Sequence, residues 1–168
     1  MTTKEHPMPK TSPFLWFDHQ AEAAARFYVS IFPNSRIVSV NRYPADVPHA
    51  GLKAGDVMTV AFELDGQPWT IMNGGPGKTF DEAISFVIDC DGQDEVDHFW
   101  NALTADGGRE VACGWLKDKY GMAWQVTPRQ LIALTTGPDR EAAGRVFQAM
   151  MGMVKIDVAK LQEAHDAA

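Results

Sequence analysis

The sequence predicts an α+β protein of two tandem βαβββ modules followed by a helical tail, and three observations carry that prediction. Two stretches are imperfect copies of each other, Phe14-Leu15-Trp16-Phe17-Asp18 through Phe27-Tyr28 to Gly66-Gln67-Pro68-Trp69, and Ser85-Phe86-Val87-Ile88-Asp89 through Phe99-Trp100 to Gly121-Met122-Ala123-Trp124. In each, an apolar run ends in Asp, an aromatic pair follows, and Gly-x-x-Trp closes the unit. Beyond Pro128 the pattern changes to helical three- and four-residue steps. Two copies make a paired fold; a solenoid needs more. The expected layout is one domain over residues 11–168, with a first module at 11–73, a crossover at 74–82, a second module at 83–128 and a tail at 129–168.

The elements follow in order. Pro13 to Phe17 is a short apolar strand, and Ala21 to Phe32 carries Ala24, Phe27, Tyr28 and Ile31 at helical spacing. Pro33-Asn34-Ser35 ends that helix. Arg36 to Tyr43 alternates as a strand, and Val57 to Leu64 with Pro68 to Met72 reads as a hairpin across Asp65-Gly66. The longer loop between them, Pro44 to Gly55, is where a lid would sit. Asn73-Gly74-Gly75-Pro76-Gly77 suits a crossover. The second module repeats the order with a strand at Ala83 to Asp89, a helix at Asp94 to Ala105 and strands at Arg109 to Leu116 and Gly121 to Thr127. Val96, Phe99, Trp100 and Leu103 share one face of that helix. In the tail, Pro138-Asp139 and Asp157 start helices, and the Met150 and Met153 stripe suits core or dimer packing.

Bulk properties narrow the class. The chain has 168 residues, enough for one generous domain, and no apolar run long enough to span a membrane. Met1 to Ser12 is polar and contains Pro7 and Pro9, so it does not read as a signal peptide. The expectation is a soluble, cytoplasmic protein. A net charge of −7 without Lys/Arg clusters argues against nucleic acid as a partner. Cys90 and Cys113 have no zinc or redox spacing and read as free thiols.

Four segments carry a family resemblance. They are Leu15-Trp16-Phe17-Asp18 with Phe27-Tyr28 and Ile31-Phe32-Pro33-Asn34-Ser35; Phe62-Glu63-Leu64-Asp65-Gly66-Gln67 leading to Asn73-Gly74-Gly75-Pro76; Cys113 to Val126; and Met153-Val154-Lys155-Ile156-Asp157. Together they resemble the PhnB-like, or 3-demethylubiquinone-9 3-methyltransferase-domain, branch of the vicinal oxygen chelate superfamily, which includes glyoxalase I, extradiol dioxygenases and bleomycin resistance proteins. The resemblance spans about residues 11–164. It implies a curved mixed sheet with a ligand cup, and a homodimer.

In the superfamily's metalloenzymes the first and last strands of each half supply His, Gln or Glu to one metal. The comparable positions here are Pro13, Phe14 or Leu15; Thr70 and Met72; Ala83 and Ser85; and Gln125 and Thr127. None is His, Asp or Glu, so a cup without metal or other cofactor is expected. The histidines, at positions 6, 19, 49, 98 and 165, read as surface residues.

In place of a metal, rings and amides are expected to line the cup: Phe14, Trp16, Met72, Asn73, Ser85, Trp115, Trp124 and Gln125. Trp69 is read as sealing the sheet against its helices. Asp118 is the one catalytic candidate, and a turn role competes with it. Asp18 and Asp89 read as helix-start residues. The leading functional expectation is binding of a small, aromatic organic molecule. The alternatives are a metal-dependent glyoxalase- or dioxygenase-type enzyme and the 3-demethylubiquinone 3-methyltransferase of the family label; the latter's methyl donor ordinarily sits in a doubly wound sheet.

Overall fold

A computed structural model describes residues 9–167. The reading of the polar leader falls mostly on residues 1–8, with His6 among them, and lies outside the described residues, as does position 168. The chain divides into two compact units after Lys78, inside the crossover segment.

Unit 1 runs β1 (Phe14–Phe17), α1 (Ala21–Ile31), β2 (Arg36–Arg42), β3 (Val57–Leu64), β4 (Gln67–Asn73). Unit 2 runs β5 (Ser85–Cys90), α2 (Gln93–Thr104), β6 (Arg109–Glu110), β7 (Trp115–Lys117), β8 (Ala123–Pro128), then α3 (Arg129–Thr136), α4 (Arg140–Met151) and α5 (Val158–Asp166). The sheet orders are β1-β4-β3-β2 and β5-β8-β7-β6, so the duplication read from sequence is a duplication of topology. In each sheet the first strand runs parallel to the last strand of its unit, and the other pairs are antiparallel.

Each sheet buries one face under its helices. In unit 1, Leu15, Phe17, Val60, Phe62, Trp69 and Ile71 point to that face. Ala21, Ala24 and Ala25 of α1 are fully buried, and their short side chains let the helix lie close to the sheet. In unit 2 the stripe Val96, Phe99, Trp100 and Leu103 is buried as the helical spacing requires. It meets the face formed by Ile88, Leu116, Trp124 and Val126. Each such side chain contributes about 1.5–3 kcal/mol by leaving water.

The β3–β4 hairpin turns at Asp65 (φ 47°) and Gly66 (φ 77°), the left-handed pair that a two-residue turn needs. The strand expected from Arg109 to Leu116 is broken in two. Cys113 (φ 60°) and Gly114 (φ 81°) turn the chain, and their amides donate to the carbonyls of Met153 and Val154 at 2.8 Å. The tail therefore docks on this turn, and also on α2 through the Lys155–Asp97 pair at 2.6 Å. Asp139 and Asp157 cap α4 and α5 through their carboxylates. Leu131, Val146, Ile156 and Leu161 form the tail's core, with Met150 and Met153 packed against it.

The helix starts of α1 and α2 differ from expectation. Asp18 faces His19 at 3.0 Å and Asp89 pairs with Arg129 at 3.0 Å, so neither caps a helix. The α1 amide of Ala21 is met from across the sheet, by Asn73. The lid candidate is a packed piece of unit 1: Ala50 and Leu52 are buried, Val47 and Leu52 bridge, and Tyr43 closes the loop base by bonding both Gly55 and Asp56.

Candidate functional site

Alternation along the strands leaves a helix-free face on each sheet. On unit 1 it carries Phe14 and Trp16 from β1, Thr70 and Met72 from β4, and Thr59, Ala61 and Glu63 from β3. Phe14 is 59% exposed and Trp16 36%. The Trp16 ring is fixed in place because its indole N–H donates to the Gly75 carbonyl at 2.9 Å, and because Gly74 has no side chain: a Cβ there would lie 2.2 Å from the indole ring. The glycines read as a crossover thus also seat an aromatic ring. At the edge of the same sheet Arg36 clasps Glu63 with two hydrogen bonds, at 2.8 and 3.0 Å.

On unit 2 the helix-free face carries Ser85, Val87 and Asp89 from β5, Ala123, Gln125 and Thr127 from β8, Trp115 and Lys117 from β7, and Arg109 from β6. Gln125 donates to the Ser85 hydroxyl at 2.8 Å, so these two predicted residues do come together. Val87 is 62% exposed. Glu82, in the segment leading into β5, pairs with Lys117 and lies 3.9 Å from Arg109. The Lys117 ammonium holds the Glu82 carboxyl below the usual carboxylate range.

Of the eight residues expected to bind ligand, six lie on helix-free faces: Phe14, Trp16 and Met72 on unit 1, and Ser85, Trp115 and Gln125 on unit 2. Two are corrected. Trp124 is buried on the helix face with its ring 5.7 Å from that of Phe86, because even-numbered residues of β8 point toward α2. Asn73 is buried too: its Oδ1 accepts from the Ala21 amide and its Nδ2 donates to the Val57 carbonyl, so its amide group is engaged in holding α1 to the sheet. Asp118 is 2% exposed and accepts from the amides of Tyr120 and Met122 and the indole of Trp124, a turn clamp with no free face toward a substrate.

Sequence reasoning missed the Lys117, Arg109 and Glu82 group. The signal was present in part: Lys117 lies two residues from Trp115 and so on the same face of its strand. The broken β6–β7 strand hid the cross-strand pairing of Arg109 with Lys117.

The donor set does not suit the metal that the resemblance implies. At the first and last strands the helix-free positions hold Phe14, Trp16, Thr70, Met72, Ser85, Val87, Gln125 and Thr127, with Asp89 alone as a carboxylate at the end of β5. Among the described residues no group of three or more His, Cys, Asp and Glu side chains is placed to hold a metal ion. Nor, among them, is any helix long and apolar enough to cross a membrane.

The sequence profile of the 3-demethylubiquinone-9 3-methyltransferase family matches residues 9–127, so α3 to α5 lie beyond the match. Among solved structures the chain is similar to the PhnB protein of Bacillus cereus, whose own assignment as a 3-demethylubiquinone-9 3-methyltransferase is provisional. The two are 33% identical over 71% of this chain and 99% of that one, with a TM-score of 0.64. Protein PA1353 of Pseudomonas aeruginosa is 16% identical over 71% of this chain and 97% of that one, with a TM-score of 0.58. A glyoxylase/bleomycin resistance protein/dioxygenase domain from Frankia sp. EAN1pec is 14% identical over 72% and 92%, with a TM-score of 0.48. No curated protein matches the chain.

Proposed function

The chain belongs to the 3-demethylubiquinone-9 3-methyltransferase (PhnB-like) family, with the glyoxalase/bleomycin resistance fold, and from that premise we propose that it binds a small aromatic organic molecule without a metal. The observation that carries this reading is the placement of Phe14, Trp16 and Trp115 on helix-free faces while Trp69, Trp100 and Trp124 fill the cores. On each unit taken by itself, rings that the core does not use, Phe14 and the hydrogen-bonded Trp16 on the first and Trp115 on the second, offer a stacking surface for a planar ligand. Beside Trp115 on unit 2, Ser85 and Gln125 add paired polar groups that can orient a ligand stacked on that ring.

Metal-dependent glyoxalase or dioxygenase chemistry is disfavoured by the donor residues named above, since those reactions need several N and O ligands around one ion. Methyl transfer is disfavoured by topology: the loops from β1 to α1 and from β5 to α2 are Asp18-His19-Gln20 and Asp91-Gly92, neither of them the Gly-rich turn of a doubly wound sheet at which a methyl donor ordinarily sits. The proposed assembly is a homodimer, the commonest closed arrangement.

The test is titration of intrinsic Trp fluorescence with planar quinones and polycyclic aromatics, beside elemental analysis of protein as purified. Saturable quenching that weakens in Trp16→Leu and Trp115→Leu supports the reading. About one tightly held divalent ion per chain, or calorimetric binding of S-adenosylmethionine, would replace it with an enzyme.

A further inference from the structure

Arg109 and Lys117 are directly opposite partners in the antiparallel β6–β7 pair, so both cations stand on the same, helix-free face. Like charges so placed destabilise a sheet unless an anion lies between them. The Lys117 side chain is only 13% exposed, and an ammonium that far from water needs a counter-charge. Glu82 supplies it: its carboxylate is bonded to Lys117 but 3.9 Å from Arg109, and it is itself 51% exposed.

The pair is thus a carboxylate receptor with its own carboxylate in place. The neighbouring groups are those of the ligand face. Ser85, Ala123, Lys117 and Arg109 form one row across the sheet, and Gln125 and Trp115 stand beside each other in the next. Ala123, the smallest of them, separates the hydroxyl of Ser85 from the ammonium of Lys117. A ring stacked on Trp115 would therefore place a substituent within reach of two cations.

We propose that Lys117 and Arg109 receive the acidic group of the ligand, and that Glu82 is a resident counter-ion which this group displaces. The inference rests on the proposed ligand face and narrows its ligand to a planar aromatic acid. Displacement costs little, because one carboxylate replaces another and Glu82 passes from a half-exposed pair into water. It also sets selectivity: a neutral aromatic cannot replace Glu82, and a cationic one would meet Lys117 and Arg109.

The experiment compares 2-naphthoate with 2-naphthamide by quenching of Trp fluorescence in the full-length protein and in Glu82→Gln and Lys117→Met. The wild type is expected to bind the acid more tightly than the amide. Glu82→Gln, which removes the competitor, should tighten the acid about tenfold, the effect of roughly one charged hydrogen bond, and leave the amide unchanged. Lys117→Met should abolish the difference between the probes. Equal affinity for the two probes in wild type and Glu82→Gln would overturn this inference while leaving aromatic binding intact. Quenching by neither probe, nor by the quinones, would remove the ligand face itself. Should Lys117→Met fail to fold, Glu82→Gln alone decides, since it keeps the size and polarity of an exposed side chain.

Discussion

Trp124 donates its indole N–H to Oδ2 of Asp118 at 2.9 Å, and both residues are only 2% exposed. Asp118 also accepts from the amides of Tyr120 and Met122, so one carboxylate folds the β7–β8 turn and anchors a core ring at once. Trp124→Ala should therefore cost about 3–5 kcal/mol through the cavity it leaves. Asp118→Ala removes three charge-assisted bonds and should cost about 3 kcal/mol or more. Urea unfolding measures both, and a loss near zero for Trp124→Ala would place the ring outside the core.

This pair also marks where sequence reading reached its limit. Helical spacing predicted the buried stripe of α2, and Asp65-Gly66 predicted its hairpin, because both signals are local. The face on which a strand residue points depends on register, and register is set by pairing across the sheet. Trp69 seals the sheet as expected, but nothing local distinguishes Trp124 on its strand from Trp16 and Trp115. Asn73 looks available because polar side chains usually are, whereas for Asp118 the turn reading is the one that holds. Their partners, the amides of Met122 and Ala21, become near neighbours only in the folded chain. The tail's grip on Cys113-Gly114, which splits an expected strand in two, was invisible for the same reason.

Asn73 joins three elements, since Oδ1 accepts from the first amide of α1 at 2.8 Å and Nδ2 donates to Val57, the first residue of β3, at 3.0 Å. Asn73→Ala should destabilise unit 1 by about 1–3 kcal/mol, since a buried amide and a partly buried carbonyl lose their partner. Asn73→Asp keeps the acceptor but loses the donor, and should fall between. Hydrogen exchange at Ala21 is the discriminating readout: it should accelerate in the Ala variant and much less in the Asp variant.

The two thiols should differ in reactivity. Burial pushes the Cys90 thiol up to about 12, whereas Cys113 is partly exposed. At pH 8 a disulfide reagent should therefore titrate one thiol in the native protein and two in denaturant. The same shift has a signed effect on stability. A thiol whose folded value lies above its ordinary value of 9.0 holds its proton more tightly when folded. Its contribution is complete below about 9 and is lost as pH rises from there through about 12. Cys90→Ala should flatten that alkaline decline in thermal unfolding without changing the profile near neutrality.

Gly114 sits at φ +81°, and a Cβ there would lie 2.9 Å from Cγ1 of Ile156 and 3.0 Å from the carbonyl oxygen of Val126. Gly114→Ala should cost about 1–3 kcal/mol from backbone strain alone. It should also loosen the tail, because Ile156 belongs to the tail core and the Gly114 amide is bonded to Val154. Faster exchange of the Cys113 and Gly114 amides, with α1 unaffected, would localise the change to this junction.

Gly74 tests the helix-free face of unit 1 from beneath. A methyl at this position would stand 2.2 Å from the Trp16 indole, well inside contact distance, so the ring must leave its seat and release the Gly75 carbonyl. Gly74→Ala should therefore shift Trp16 emission and weaken planar-aromatic binding by about tenfold, the loss of roughly 1.4 kcal/mol of positioned stacking. The core should be largely spared, because Trp16 lies on the opposite face of β1 from buried Leu15 and Phe17. Trp16→Phe separates ring from anchor: it retains a stacking surface without the indole N–H, and its affinity should fall between wild type and Gly74→Ala. Unchanged quenching in Gly74→Ala, with a normally folded core by circular dichroism, would show that the seat of Trp16 has no part in holding a ligand.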